Sequence, residues 1–412
     1  MSNATTHTDT AYYYVRPTDS LFVRGNLAFG DSGEHGASLM PPPPSLFAGA
    51  FRSALLGHDA EQLTAFLTHG RCSNTALATC LGTPTAPGAF RIRWLSLAGD
   101  AGGVAGGTAM PNSAPEAITP LPADLLMLGK EFATLQPRAV ALGVASAGDL
   151  PLRATLVAAK QEKPTGGILL RGQGLTQHLQ GAPADKVHGI ANSQLFQRDP
   201  RLGIGLNTDA HTAEEGQIYT TEGFAFSPAN ASAAKADQLP FTSTGFLVGI
   251  DGVVGLMPIE GMLRLGGDGR SAHYRKVSFT EPTATKRPGV NGRFRLLLQT
   301  PALFSQGWLP EGVTEQDGTY RLQGNGFSAR LACAALGRRE VVSGWDLYQW
   351  KPKPAQAAAP AGSVYWFDEF AGDADKLAAW VANGLWPDDL NPLQQMRRAE
   401  GYNRALLGAW NE

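Results

Sequence analysis

The clearest hydrophobic periodicity in the chain lies between residues 45 and 56. Apolar positions there recur with the 3.6-residue period of an amphipathic helix, and they are Leu46, Phe47, Ala50, Phe51, Ala54 and Leu55. Prolines 41–44 precede this segment and predict a stiff, extended entry. Ser45 is the expected N-cap, and Gly49 and Arg52 fall on the side opposite the apolar residues.

This predicted helix permits two interpretations. The unpaired N–H groups of its first turn carry partial positive charge, and Gly49 leaves room beside Arg52, one turn further on. Together with the rigid entry, these features describe a phosphate cradle. The alternative is an ordinary surface helix with a proline lead-in, and these residues alone leave both interpretations open.

Elsewhere the pattern favours short strands. Strands are predicted at residues 12–16, 90–94, 202–206, 217–226, 246–250, 262–265, 293–299 and 364–367, with weaker signals at 153–158 and 167–171. Further helices are predicted at residues 60–67 and after Asp373, and a tight turn at residues 266–269. Residues 99–115 are low in complexity and predict a mobile insertion. Because no regular βαβ period is present, the pattern favours an α+β chain with antiparallel sheets.

Composition narrows the class of protein. The 412 residues include 43 % apolar and only 17 % charged residues, with 49 glycines, 28 prolines and a net charge of −2. This net charge does not indicate a strongly basic nucleic-acid-binding protein. Basic residues are nevertheless concentrated in one stretch, at Arg270, Arg275, Lys276, Lys286, Arg287, Arg293 and Arg295. Three cysteines without metal spacing, a polar N-terminus and no membrane-length apolar run predict a cytoplasmic protein.

Familiar catalytic motifs are absent from the sequence. Neither a GxxxxGK[ST] phosphate loop nor an HExxH zinc motif occurs. The glycine pairs at residues 203–205 and 324–326 are interpreted as turns or bulges. Asp19, Asp31 and Asp268 do not form a recognisable metal cluster. His35, in a glycine-rich loop, is either a solvated histidine or a general acid or base, so the residues indicate a binding surface more readily than a catalytic site.

Several sequence blocks resemble one family in order along the chain. They are RPTDSLFVRGNLAFG, SLMPPPPSLFAGAFRSALL, RLGIGLNTDAHTAEEGQIY, LRLGGDGRSAHY, LLLQTPALFSQGWLP, VSGWDL with KPKP, and PAGSVYWF. The chain thereby resembles the RAMP-superfamily subunit of the Cmr (type III-B) CRISPR effector complex that binds the 5′ handle of the guide RNA.

This resemblance implies a fold, a function and partners. The fold would be two ferredoxin-like (RRM-like) RAMP domains, at residues 11–197 and 198–412, after a disordered tail at 1–10. The function would be non-catalytic binding of the 5′ handle of the crRNA, without cofactor or metal. The partners would be the large polymerase/cyclase-like subunit and an adjacent RAMP backbone subunit, with target RNA nearby through the guide and no membrane. A metal-independent crRNA-processing endonuclease using His35 is the alternative, and a β-rich carbohydrate-binding or phage-type protein is a distant third.

The resemblance and the local chemistry together select candidate RNA-binding residues. These are Arg24, Ser45, Gly49, Arg52, Arg201, Gly266, Gly267, Arg270, Arg275, Lys351, Lys353, Arg397, Arg398 and Arg404. The family's C-terminal GxG-type loop is altered in this chain, because Asn403 stands in place of the second glycine. An asparagine still tolerates the left-handed conformation of such a turn. The segment from residue 397 to 408 is therefore either an RNA contact or a solvated basic terminus.

Overall fold

The computed structural model describes residues 10–23, 35–36, 38–100, 103–105, 108–110, 114–139, 150–157, 162–207, 209, 212–226, 240–267, 269–282, 288–289, 292–346 and 348–411. Arg24 lies outside these residues, as do the predicted tail up to residue 9 and parts of the predicted insertion at 99–115. Within that insertion, two three-residue strands pair as a short hairpin.

Six α-helices occur in the described residues. They are α1 (Pro44–Gly57), α2 (Ala60–His69), α3 (Thr75–Leu81), α4 (Gly172–Leu179), α5 (Ala374–Ala382) and α6 (Pro392–Glu400), with 3₁₀ turns at Ala184–Lys186 and Asn192–Gln194. Asp373 caps α5 as predicted, because its side chain accepts the N–H groups of Asp375 and Lys376. Among the described residues, no helix is long and apolar enough to cross a lipid bilayer.

Strands make up the larger part of the regular structure. The first twelve are β1 (Ala11–Pro17), β2 (His35–Gly36), β3 (Arg91–Asp100), β4 (Gly103–Ala105), β5 (Thr108–Met110), β6 (Glu116–Pro120), β7 (Leu125–Leu128), β8 (Glu131–Thr134), β9 (Gln136–Arg138), β10 (Arg153–Thr155), β11 (Ile168–Arg171) and β12 (Gly189–Ala191). The next are β13 (Gln197–Leu206), β14 (Ala213–Ala225), β15 (Ser243–Asp251), β16 (Glu260–Arg264), β17 (Ser271–Val277), β18 (Phe294–Leu298), β19 (Val313–Gln316), β20 (Thr319–Gly324), β21 (Phe327–Ala335), β22 (Glu340–Val342), β23 (Trp345–Asp346), β24 (Lys351–Pro352), β25 (Gln356–Ala358), β26 (Val364–Gly372) and β27 (Ala405–Ala409).

Two large antiparallel sheets organise these strands. The first has eight strands in the order β12-β11-β6-β3-β15-β1-β17-β16, and the second has six in the order β19-β20-β21-β26-β18-β27. Neighbouring strands are antiparallel throughout both sheets. A smaller sheet, β13-β14-β2, has one parallel pair, β14 with β2. The predicted mixed fold with mostly antiparallel sheets is confirmed.

The predicted boundary between residues 197 and 198 runs through the first sheet. Strands β15, β17 and β16, from residues 243–277, pair with strands from the first 120 residues or with each other. The second sheet starts only at Phe294. The backbone hydrogen bonds of the first sheet therefore join segments on both sides of that boundary, and the two-domain division stays a prediction.

Helix α1 covers one face of the first sheet, and its apolar stripe forms the core there. Phe47 and Phe51 are fully buried, and their rings pack against Phe246 at 4.9 Å and Tyr13 at 5.4 Å between centroids. The burial predicted for these two phenylalanines is confirmed. Helix α5 covers the second sheet in the same way, through Leu377.

The start of α1 differs from the prediction. The N-cap is Pro43 and Pro44 occupies the first helical position, so Ser45 lies inside the first turn. Proline suits that position because its missing N–H would have no helical partner and its φ is already helical. The hydroxyl of Ser45 instead lies 3.1 Å from the hydroxyl of Tyr402.

Candidate nucleic-acid interface

The segment after β1 lies beside the predicted glycine turn. Thr18 donates its N–H to Ser271 O at 3.0 Å, which keeps the chain next to the start of β17. Gly267 then donates its N–H to Phe22 O at 2.8 Å. Residues 19–23 are thereby fixed against the β16–β17 turn.

Gly266 is required at this turn by conformation and by space. Its φ is +85°, in the left-handed region that side chains rarely adopt. A Cβ atom on Gly266 would lie 2.6 Å from Phe22 O. The close approach of the two backbones therefore depends on glycine, and the turn predicted at residues 266–269 is confirmed.

Two of the predicted arginines meet at the ring of Phe22. The guanidinium carbon of Arg270 lies 5.3 Å from the ring centroid and that of Arg201, on β13, lies 5.5 Å from it. Phe22 itself is 7 % exposed. We name the group Asp19, Phe22, Arg201, Gly266, Gly267 and Arg270 the Phe22 cluster.

Carboxylates hold both guanidinium groups of this cluster. Arg201 Nη2 donates to Asp19 Oδ1 at 3.3 Å and Arg201 Nε donates to Asp199 Oδ2 at 2.9 Å, while Arg270 forms an ion pair with Asp19. A hydrogen bond from the Ser20 N–H, reinforced by both arginines, lowers the pKa of Asp19. The exposed Asp19 carboxylate is thus ionised at neutral pH and bridges two arginines, as a phosphate group can.

Arg275 and Lys351 lie elsewhere on the surface. Arg275, on β17, pairs with Asp100 at 2.6 Å and stacks over the ring of Tyr14 at 5.3 Å. Lys351 is exposed on the small β23–β24 hairpin. Trp345 and Trp350 are exposed on the same hairpin, with ring centroids 6.0 Å apart.

Lys353 and Arg397 are brought together inside the protein. Lys353 Nζ lies 2.5 Å from Glu400 Oε1, and Arg397 Nη1 lies 2.9 Å from Glu400 Oε2. Arg397 is 1 % exposed, and its Nε also donates to Gln356. The expectation that Arg397 contacts RNA is corrected by this geometry, because its guanidinium neutralises a buried carboxylate.

Arg404 and Arg398 are also partly or fully buried inside the protein. Arg404 is 5 % exposed and donates to the carbonyl of Ala382, at the negative end of α5. Burial lowers the pKa of Arg404 to about 10, with Arg93 adding to the effect. Burial and the nearby Arg91 likewise lower the pKa of half-buried Arg398 to about 10. Of the two interpretations left open for residues 397–408, the solvated basic terminus is therefore wrong for the buried Arg397 and Arg404. Asn403 does adopt the left-handed φ, at +60°.

Arg52 departs from its predicted position. Its guanidinium lies over the ring of Phe90 at 4.8 Å, and its Nε and one terminal nitrogen are enclosed, with no hydrogen-bond partner among the described residues. Burial lowers the pKa of Arg52. Gly49 keeps its predicted place, since it is exposed and a methyl group in its place would have no neighbouring atom within 4 Å.

Sequence reasoning missed an apolar surface beside the Phe22 cluster. Leu202, Ile204 and Leu206 on β13 are 73 %, 50 % and 62 % exposed. Alternating apolar residues ordinarily face a core, but here they are exposed and alternate with Gly203 and Gly205. The ring of Tyr219 lies on the glycine side of the strand, so close that a Cβ on Gly203 would be 2.4 Å from it. That pairing of leucines with glycines was the available signal for an exposed strand.

Among the described residues, no group of three or more His, Cys, Asp or Glu side chains is placed so that it could hold a metal ion. The backbone of His35 pairs with Thr220 on β14, whereas its side chain lies outside what the structure describes. Arg201, Gly266, Gly267 and Arg270 are thus the predicted RNA-binding residues that the fold assembles at one surface.

Comparisons with known proteins give one family and a small set of structures. The family model described as CRISPR-associated protein (Cas_Cmr3) matches residues 13–410. A chain of the cryo-EM structure of the Type III-B Cmr-beta bound to cognate target RNA and AMPPnP, state 1, aligns with a TM-score of 0.48 and 14 % identity, over 96 % of this chain and 95 % of that chain. A chain of Cmr-beta bound to cognate target RNA aligns with a TM-score of 0.47 and 15 % identity, over 96 % of each. No curated protein matches.

Proposed function

Because the chain belongs to the Cas_Cmr3 family of CRISPR-associated proteins, we propose that it is a non-catalytic, RNA-binding subunit of a type III-B effector complex. Its task is to hold the 5′ handle of the crRNA. The match from residue 13 to residue 410 carries this proposal, since it spans both large sheets.

The Phe22 cluster supports RNA binding by its chemistry. Two arginines flank one aromatic ring, and the half-buried glycine turn at Gly266 and Gly267 lies beside them. Arginines and turn N–H groups contact phosphates, and single-stranded RNA is held largely by such contacts and by stacking. Arg24 follows Phe22 by two residues in the sequence, and the proposal includes it among the RNA-binding residues.

The proposal also includes the subunits that this protein contacts in the complex. The chain bridges the large polymerase/cyclase-like subunit and an adjacent RAMP backbone subunit, in the cytoplasm and without a cofactor. Its two large sheets would correspond to two ferredoxin-like RAMP folds. The exposed leucines of β13 and the exposed tryptophans of the β23–β24 hairpin are surfaces available for these neighbours.

Charge reversal at the Phe22 cluster tests the proposal. We expect Arg201→Glu with Arg270→Glu to weaken binding of handle-containing RNA by at least tenfold at about 100 mM salt. The affinity of the variant should also fall less steeply with salt, because fewer phosphates are contacted. For single strands, each lost phosphate contact reduces the slope of log affinity against log salt concentration by roughly 0.7. The measurement is the affinity of the reconstituted complex for guide RNA across a salt series.

A matched control separates this site from general electrostatics. Arg338 and Arg339 are both exposed, so Arg338→Glu with Arg339→Glu changes the net charge by the same amount at another place. Equal losses in both double variants, or no loss in either, would contradict the assignment of RNA binding to the Phe22 cluster.

Nuclease activity is tested separately. As a binding subunit, the protein leaves handle-containing RNA intact, and His35→Ala leaves guide maturation unchanged in cells. Loss of mature guide RNA with a normally assembled complex would instead favour the crRNA-processing endonuclease.

A further inference from the structure

A groove opens between strand β3 of the first large sheet and helices α5 and α6. One part is a cavity of about 470 Å³, lined by the start of β3, the α5–α6 connection and α6. The other is a cavity of about 760 Å³, lined by the β20–β21 turn and α5. Asp388 and Arg398 line both cavities, which therefore adjoin as one extended groove. We name it the α6 groove, and its charged lining residues are Arg91, Glu311, Lys376, Asp388, Asp389 and Arg398.

Two arginines of the α6 groove have no ion-pair partner. Arg91, the first residue of β3, and Arg398, on α6, are both half-buried. Neither forms an ion pair or a side-chain hydrogen bond with the residues that the structure describes, and Nε of Arg398 is enclosed. Burial lowers the pKa of both guanidinium groups, and Arg91 lowers that of Arg398 further. Two like charges held close together and partly out of water favour a negative group beside them.

The nearest carboxylates of the chain are already engaged. Asp251 lies opposite Arg91 on the paired strand β15, but it accepts a hydrogen bond from the Thr10 hydroxyl at 2.7 Å. Glu400, on the same helix as Arg398, is held in the buried ion pairs described above. The groove thus leaves its arginines open to a carboxylate from another molecule.

Exposed negative charge lines the same groove. Asp388 and Asp389 are exposed, and neither is paired with a cation in the described part of the chain. Glu311 is engaged, since it accepts from the N–H and the hydroxyl of Ser305 at 2.5 and 2.9 Å. Lys376 adds an exposed cation. An RNA strand, with a negative charge at every nucleotide, would meet these aspartates unfavourably, whereas a protein segment can carry both signs of charge.

The wider part of the groove adds apolar surface. Trp380, on α5, is half-buried, and its ring lies 5.8 Å from that of Phe327 between centroids. Trp386 is buried, with its Nε1 donating to Tyr402 O at 3.3 Å. Tryptophan and arginine side chains together are enriched where proteins bind each other.

The α6 groove and the Phe22 cluster lie at opposite ends of the first sheet. Arg91 pairs with Asp251, next to the pairing of Ile250 with Ala11 at the start of β1. The Phe22 cluster lies beyond Pro17, where β1 ends. A strand of this length spans roughly 20 Å, which exceeds the screening length of about 8 Å at physiological salt. Charge changes at one site therefore have little effect at the other.

We infer that the α6 groove binds a segment of another protein subunit in which an acidic side chain is flanked by a basic one. The acidic side chain pairs with Arg91 and Arg398, and the basic one pairs with Asp388 or Asp389. The inference rests on the proposed function only in taking this partner to be a subunit of the same effector complex.

Binding of the full-length protein to each of the other purified subunits, measured by biolayer interferometry, tests the groove. Arg91→Glu with Arg398→Glu should weaken binding to one subunit by about tenfold or more, because these charges are partly desolvated. Asp388→Lys with Asp389→Lys should weaken binding to the same subunit by roughly threefold or more, since exposed ion pairs contribute less. The affinity of the assembled complex for guide RNA should be unchanged in both double variants.

Controls separate the groove from general electrostatics and from misfolding. Arg338→Glu with Arg339→Glu changes the net charge as much as the arginine variant does and should leave binding to every subunit unchanged. Thermal midpoints show whether each variant is folded. Because Asp388 and Asp389 are exposed, their variant tests the inference even if the arginine variant does not fold.

Two outcomes would overturn the inference. Wild-type affinity of the aspartate variant for every subunit would show that the groove is not a protein interface of this kind. Weaker guide-RNA binding by the arginine variant, together with stronger binding by the aspartate variant, would identify RNA as the occupant. Failure of the Phe22 cluster to bind RNA would instead reject handle binding while leaving a subunit contact at the α6 groove intact, so the two failures are distinguishable.

Discussion

At the scale of single residues, Asp19 decides how available the arginines of the Phe22 cluster are. Its carboxylate contacts Arg201 and Arg270 and is about half exposed, so a phosphate must displace it. We expect Asp19→Asn to strengthen handle-RNA binding by roughly three- to tenfold and to steepen its salt dependence, because two cations then meet RNA unopposed.

Glu369→Gln is the charge-matched control for Asp19. Glu369 is a similarly exposed carboxylate that pairs with Arg321 and Arg330 on the second sheet. Its neutralisation should leave RNA affinity unchanged when both variants are compared by the affinity of the reconstituted complex for guide RNA across a salt series. Weaker binding by Asp19→Asn would mean that Asp19 orders the arginines for RNA instead of competing with it.

The buried ion pairs of Glu400 lead to a prediction about the free energy of unfolding. It is 2 % exposed between Lys353 and Arg397, and removing one partner of a buried ion pair typically costs about 3–5 kcal/mol. Glu400→Gln should therefore lower the free energy of unfolding by that amount at pH 7, as measured by urea denaturation, while Glu369→Gln should change it by about 0–1 kcal/mol.

The pH dependence of Glu400 has a definite sign. Burial alone would raise its pKa, but Lys353 and Arg397 outweigh burial and lower it. A lowered carboxyl pKa contributes stability above the unfolded value, about 4.3, and that contribution is lost as the pH falls through the folded value. The difference between wild type and Glu400→Gln should shrink below about pH 4, and a constant difference down to pH 3 would contradict this account.

Sequence reasoning selected charged residues but not their partners. Asp199 lies two positions from Arg201, so this ion pair can be inferred from the sequence. Asp19, the other partner of Arg201, lies 182 positions away, and no sequence pattern indicates that contact. Glu400 stands three residues after Arg397, a spacing that permits an ion pair on one helix. That spacing was a local signal for the ion pair, whereas the burial of Arg397 and the contribution of Lys353 depend on the tertiary fold.

At the scale of elements, helices and strands with strong periodicity were predicted well. The apolar stripe of α1, the strand β1 and the Asp373 cap each follow from local patterns. The helix start at Pro44 and the exposed apolar face of β13 were missed, because proline chemistry and glycine neighbours override simple periodicity there.

Two glycines give opposite expectations at this scale. Gly266→Ala places a methyl group 2.6 Å from Phe22 O at a φ of +85°, so it should destabilise the protein by about 1–3 kcal/mol and weaken RNA binding. Gly49→Ala meets nothing within 4 Å on an exposed helix and should stabilise it by about 0.5–1 kcal/mol. Urea denaturation and RNA titration of both variants check this, and an unaffected Gly266→Ala protein would show that the turn tolerates rearrangement.

At the scale of the whole molecule, the class of fold was predictable and the pairing of its strands was not. Strand periodicity predicts antiparallel sheets, but no local signal shows that strands near residue 250 complete a sheet begun at residue 11. The predicted basic stretch from residue 270 to 295 is likewise divided by the fold. Arg275 belongs to the first sheet and Arg295 to the second.

The central place of β1 in the first sheet has a consequence for synthesis on the ribosome. Thr10, just before β1, donates a hydrogen bond to Asp251, 241 residues away, and β1 lies between β15 and β17. A nascent chain therefore carries β1 with both edges unpaired until β15 has emerged, near residue 251, and with one edge unpaired until β17 has emerged, near residue 277. An unpaired strand of this kind is one that chaperones bind. Stalled chains ending near residue 200 should be cleaved rapidly by protease within residues 11–17, and chains stalled well beyond residue 300 should be protected there.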